Sequence, residues 1–414
     1  MRYRSLLVLL TAVLFRCSSN STSPPATAPI SETKQNCFPL PPNTHLHRFS
    51  PAPAPLVLSY VKSHTSRDEV RYVSHFGGND WRETAGPIIA SKKLFVNWAD
   101  YPTLTPLRNA AGELEHLATW LQYAGSGTYE YDIQTRRAGP GGSWTAPTKK
   151  LHDDEVLAEH GFVSTSPLGP GNIQLTWLDG RNTAAGGDHN HHGGGAMTLR
   201  TKQLTAAGST LLDDRVCDCC GTATVATDER VLVAYRDRSP EEVRDISFVT
   251  RPRGGTDWSA PRPVATDNWK IDGCPVNGPA LAANASGDIA IAWYTGADEQ
   301  PAIKFARYDA SRGAFEAPLI VDGPNTHGRV DLQLADDGTA YLIGLSGLSP
   351  DSAAITLWTL SPINDLIETR ELRRITSGRR EGFPHLRLAQ GALFYSTTVW
   401  EGEAEHHVEI CRLN

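Results

Sequence analysis

The sequence predicts an all-β protein, a β-propeller of four-stranded blades, from three observations. A module recurs roughly every fifty residues from Leu58 onward, which is the period of a propeller blade. One copy holds a short run (Thr222–Ala226), a turn, an apolar strand (Val231–Tyr235), an alternating strand (Val243–Thr250), and then a Gly-rich turn with a Trp and Pro-Val. Composition agrees: 36 Gly, 28 Pro and 10 Trp accompany only 21% charged residues, a mix rich in turn formers and large strand residues. Finally, no window carries a convincing helical period.

The chain opens with an address. Arg2 and Arg4 precede an apolar run from Leu6 to Phe15 that is too short to span a bilayer and suits a secretory signal, so residues 1–17 read as a signal peptide. Leu14, three residues before Cys17, resembles a bacterial lipoprotein box with Cys17 as the lipidated residue, although Phe15 and Arg16 stand where that box prefers small side chains. A lipid anchor at the outer membrane and plain secretion both stay open, and either takes the chain to the periplasm or beyond. Residues 18–36 are a Ser/Thr/Pro-rich tether that cannot bury a core. Residues 37–414 are then a single propeller. A net charge of −7, with no basic stripe, excludes nucleic acid as the main partner.

Modules fall at about 52–92, 93–150, 156–214, 220–266, 275–322 and 326–376. The remainder, Phe383–Leu388, Leu393–Thr398 and His407–Arg412, supplies three strands and lacks a fourth. A ring must close, because an open edge invites aggregation, and residues 37–49 are the natural missing strand. That register sets Cys37 beside Cys411 and predicts a disulfide in an oxidising compartment. The loop it would tie off spans several hundred residues, for which the chain-entropy model gives on the order of 6 kcal/mol as an upper bound. The count is seven blades, or six if the first module belongs to the closing blade.

In a propeller, the connection leading into each blade and the loop between its second and third strands share one face. The lead-in segments here are Glu159–Gly161, Cys217–Gly221, Asp272–Asn277, Thr326–Gly328 and Glu381–His385. Each carries a Cys or a His, so Cys217, Cys219, Cys220 and Cys274 are expected together at the channel mouth, with His160, His327 and His385 facing them. Thiolates and imidazoles converging this way suit Zn²⁺, or copper if the ion is soft. The spacing is no standard zinc signature, and outside the cytoplasm two disulfides are the rival reading. A strained vicinal Cys219–Cys220 bridge is a third. A Gly-flanked run with His189, His191 and His192 could also capture a metal, against the blander reading of a solvated loop.

The loops of the same face hold Arg181, Arg236, Asp237 and Arg238. Arginine forks at a propeller mouth suit a small anionic or glycan ligand such as a sugar acid. Alternating Arg and Asp in turns more often satisfy one another, the favoured reading for Asp237 and Arg238. Several motifs resemble secreted bacterial propellers of the sialidase-like, BNR-repeat group: Phe95–Pro102, Trp177–Arg181, Gly195–Arg200, Arg215–Cys220, Ala234–Ser239 and Gly273–Pro279. The resemblance spans about residues 50–325 and implies a propeller with a glycan-related history. The Asp-boxes of true sialidases survive only as Gly254–Trp258 and Gly141–Trp144, and no Arg-Ile-Pro motif is present. Two functions follow as expectations: a binding protein whose Cys/His-lined mouth holds a metal or small ligand, or a sialidase-type glycan hydrolase using Arg181, Arg236 and nearby acids.

Overall fold

A computed structural model describes residues 36–51, 55–183 and 195–413. The proposed signal, Cys17, most of the tether and His189, His191 and His192 lie outside the described residues. Seven antiparallel sheets follow one another along the chain as the blades of a propeller. Their innermost strands are, in order, Thr44–Phe49, Thr103–Arg108, His160–Gly169, Ala223–Ala226, Ala280–Ala283, Gly328–Leu334 and His385–Ala389. Each contacts the innermost strand of the next blade, and the seventh contacts the first. In the first and fifth blades the outermost position is split into two short strands that both pair with the third.

The alternation of strand faces explains why the blades stack. Second strands such as Val231–Tyr235 and Ile289–Trp293 are buried throughout, because each sheet has a neighbour on both faces. Among the described residues an apolar cluster fills each of the seven junctions between adjacent blades. The fully buried indoles Trp177, Trp293 and Trp358 fill three of these junctions. Two keep their polar edge satisfied: Trp177 Nε1 donates to Asp179 Oδ2 at 2.9 Å and Trp293 Nε1 to Asp267 Oδ2 at 2.8 Å.

The ring closes with the N-terminal strand Asn36–Pro39, which pairs with Glu405–Leu413 so that Cys37 stands opposite Cys411. The two sulfurs are joined in a disulfide. The segment expected as one closing strand over 37–49 is in fact two. Pro41 and Pro42 end the first piece, since proline cannot donate to a ladder, and Asn43 turns the chain at φ 61°. Thr44–Phe49 then begins the first blade, so the first module starts at residue 44 rather than 52.

Inside the ring lies a channel cavity of about 1010 Å³, lined by the innermost strands. At the lead-in face its walls include Ala99, Tyr101, Phe162 and Phe383; at the other end they reach the hairpin residues Asn284, Asp336 and Gln390.

Candidate functional site

The connection between the third and fourth blades is a tight Cys-Asp-Cys-Cys turn. Its backbone is pinned at both sides. Val216 N–H donates to Met197 O at 2.9 Å and Cys217 N–H to Arg236 O at 3.0 Å. This folding brings Cys217 Sγ to 3.9 Å from Cys219 Sγ and 3.5 Å from Cys220 Sγ. The three sulfurs lie within 4.8 Å of one another. Cys274, from the next lead-in, lies close enough to Cys219 for the two thiols to shift one another. The two lead-ins can approach because Gly278 has no side chain: a Cβ there would stand 2.2 Å from Gly221 O. Cys217 and Cys220 are buried, Cys219 is half-buried and Cys274 is exposed, and all four are free thiols here.

Charge around the cluster is arranged by arginines. The fully buried Arg244 donates from Nη1 to Cys217 Sγ at 3.3 Å, while its Nε and Nη2 hold Glu242 at 3.2 and 2.7 Å. Arg238 bridges the same Glu242 to Asp218, at 2.7 and 3.2 Å. Contact with Cys219 and then Cys220 holds the Cys217 thiol well below its usual range; burial opposes this and Arg244 reinforces it. Burial pushes Cys220 up, and its thiol neighbours push Cys219 up. Contact with Cys219 also lowers Cys274. The first proton to leave the trio is therefore that of Cys217, and the charge rests beside Arg244.

The histidines expected to face these sulfurs do not join them. His160 stacks on His152 at 3.7 Å and faces Asp154 and Asp179. His385 points into the channel, 3.3 Å from Asp331 Oδ2 and edge-on to His47. Burial lowers the pKa of His385 and of the half-buried His327. The thiols come from the lead-ins of the fourth and fifth blades and these histidines from those of the third, sixth and seventh, where His160 and His385 take acidic partners of their own.

Nor do the four expected ligand-binding residues present free groups. Arg236 is buried and donates to the carbonyls of Asn277, Arg244 and Tyr294 at 2.6–2.9 Å, with its guanidinium over Trp269 at 4.8 Å. It clamps the fourth blade to the lead-in of the fifth. Arg181 is held by Asp179, Asp153 and Asp154. Asp237 accepts from Ser247 Oγ at 2.9 Å and from the backbone of Arg238 at 2.7 Å. The self-satisfied network favoured for Asp237 and Arg238 is what these contacts describe.

Two buried acidic groups outside the expected site residues, Glu159 and Asp100, are strongly shifted. Glu159 accepts from Tyr131 Oη at 2.5 Å, under Phe95, which stacks on Tyr131 at 3.9 Å. Burial pushes Glu159 up to about 8, with the Tyr131 hydrogen bond opposing. Asp100 lines the channel, accepts from Phe162 N–H at 2.6 Å, and is pushed by burial up to about 7. Only the motif Asn97-Trp-Ala-Asp100, already singled out, could have signalled the second of them.

No family model matches the chain, and no curated protein matches it. Many solved structures share its architecture. An ulvan lyase, described as a new family of polysaccharide lyase, aligns over 87% of this chain and 90% of its own at 11% identity, with a TM-score of 0.51. The sialidase of Trypanosoma rangeli aligns over 80% and 56% at 9% identity, TM-score 0.46. An α-L-arabinanase of Penicillium chrysogenum aligns over 78% and 94% at 12% identity, TM-score 0.46. At such identities the likeness is one of fold alone, a β-propeller shared with the ulvan lyase.

Proposed function

We propose that the protein is an extracytoplasmic propeller of the sialidase-like group that binds a thiophilic metal ion, Cu⁺ or Zn²⁺, through Cys217, Cys219 and Cys220. The observation that carries this is the spacing of their sulfurs, 3.5 and 3.9 Å. A metal–sulfur bond of about 2.3 Å gives sulfur separations of about 3.8 Å around a tetrahedral ion, and slightly more in a trigonal one. Soft thiolates favour Cu⁺ and Zn²⁺ over harder cations. Arg244 and Arg238 offset the negative charge that a tri-thiolate brings. Cys274, exposed and in contact with Cys219, is placed to receive an incoming ion and pass it inward by ligand exchange.

The hydrolase reading draws less support, because Arg181 and Arg236 spend their donors on internal partners. The nearest approach to a nucleophile and base, Tyr131 with Glu159, is buried. The rival for the cysteines themselves is a pair of disulfides. Metal analysis of the purified protein, with thiols counted before and after reduction, separates the two: bound ion with four reducible-free thiols supports the proposal, and four oxidised sulfurs without an ion overturn it.

A further inference from the structure

We infer a second metal site, independent of the thiols: His160 Nε2, Asp154 Oδ2 and Asp179 Oδ1 form a binding site for a divalent cation of the Zn²⁺ class. His160 opens the innermost strand of the third blade and pairs with Asp179 at the end of the second strand. Asp154 comes from the loop that leads in. The site is built into the fold: the side chains of His160 and Asp179 are fully buried and that of Asp154 is 10% exposed.

The orientation of the imidazole makes the case. Its Nδ1 lies 3.2 Å from Ala158 O, a contact that only a protonated nitrogen can donate. In the neutral ring Nε2 then carries the lone pair. That nitrogen is buried and makes no hydrogen bond. Yet it faces Asp154 Oδ2 at 3.4 Å and Asp179 Oδ1 at 3.7 Å. A lone pair turned toward two anionic oxygens is repulsive unless a proton or a metal ion stands between them; Arg181 holds both oxygens from the far side, at 2.9 and 2.7 Å, and the metal ion is the case inferred. Three ligands each about 2.1 Å from a tetrahedral ion are about 3.4 Å apart, close to the separations found here.

Charge counts in the same direction. Asp132, Asp154 and Asp179 face the two imidazoles, and Arg181 is shared among Asp153, Asp154 and Asp179. Lys150 is engaged by Glu155 at 2.7 Å. His152 stacks on His160 at an interplanar angle of 6° and reaches Asp154 and Asp132 from its two nitrogens, at 3.0 and 3.1 Å. It is a positioning residue that fixes both the ring and the carboxylate, as partners behind a metal ligand commonly do. Arg181 likewise holds Asp179 through Nε and Nη2 at 2.7 and 2.8 Å. The donor set is one nitrogen and two oxygens, which suits Zn²⁺ and leaves one tetrahedral position for water.

The test uses the whole protein with nitrogen-15 in its histidines, titrated with Zn²⁺. One imidazole nitrogen resonance should move to the metal-bound range, and that resonance should be missing in His160→Gln. This readout does not depend on the thiols, which contain no imidazole, so it fails or succeeds separately from the proposal above. A Co²⁺ titration adds a second view. Nitrogen and oxygen ligands give visible bands without the near-ultraviolet sulfur charge transfer of thiolates, and His160→Gln should weaken the N/O band's affinity at least tenfold while leaving the sulfur band. A folded wild-type protein whose His160 resonance ignores saturating Zn²⁺ overturns the site. So does a His160→Gln protein that binds the N/O-type Co²⁺ as tightly as wild type.

Discussion

Arg244 donates from Nη1 to Cys217 Sγ at 3.3 Å, and its remaining donors are fixed on Glu242. A buried guanidinium against a buried thiol stabilises the thiolate, so Cys217 is the sulfur of the cluster that Arg244 helps to ionise. Replacing Arg244 with Met keeps most of the volume and removes the charge. The alkylation profile of Cys217, followed by peptide mass spectrometry against pH, should move to higher pH by a unit or more. An unmoved profile would mean that Arg244 does not set the charge of the cluster.

Glu159 gives a pH dependence of the opposite kind. Its folded pKa, raised to about 8, lies above the unfolded value, so the native state holds a proton that the unfolded chain releases. Stability from this group is therefore present at low pH and is lost as pH rises from about 4.5 through 8. Asp100, raised to about 7, adds a parallel loss that is complete earlier. Glu159→Gln keeps an acceptor for Tyr131 and cannot ionise, so it should raise stability at pH 9 by on the order of 1–3 kcal/mol. Urea midpoints of both proteins at pH 5 and pH 9 check this; equal falls in the two would refute it.

Arg236 is a clamp, and its loss should register in stability. Arg236→Met leaves the carbonyls of Asn277, Arg244 and Tyr294 short of a donor in a buried place. Leaving a buried acceptor unsatisfied costs about 1–3 kcal/mol, so the total should be about 3 kcal/mol or more in urea unfolding. Wild type and variant alike should fail to turn over a fluorogenic sialoside. Turnover that vanishes in the variant would restore the hydrolase reading.

Closure by Cys37 and Cys411 should be visible as a linked peptide in non-reducing maps. Removing it with Cys37→Ser and Cys411→Ser should cost roughly 2–5 kcal/mol, read as a lower urea midpoint. An unchanged midpoint would show that strand pairing alone closes the ring.

Much of the architecture was legible because a blade announces itself. Second strands such as Val231–Tyr235 and Ile289–Trp293 are continuous apolar runs, and turn residues separate them at a steady period. The Cys37–Cys411 register followed from the missing strand alone. What misled was finer. Pro41 and Pro42 divide 37–49 into two strands of different blades, a break that the proline pair itself marks in the sequence. The thiols were legible as a group because three share one turn. The histidines were not, since they enter other blades, where His160 meets Asp154 and Asp179 and His385 meets Asp331 and His47. His152 and Asp154 carried a signal in the run His152-Asp-Asp-Glu155, yet nothing local says that this loop folds back over His160.

The most direct test of the thiol proposal is an anaerobic Cu⁺ titration of the reduced, full-length protein against a competing chelator, followed by X-ray absorption at the copper edge. The prediction is one tightly held Cu⁺ per chain in a sulfur-only shell, lost in Cys217→Ser. Absence of a tight equivalent, or a shell of nitrogen and oxygen, would contradict it.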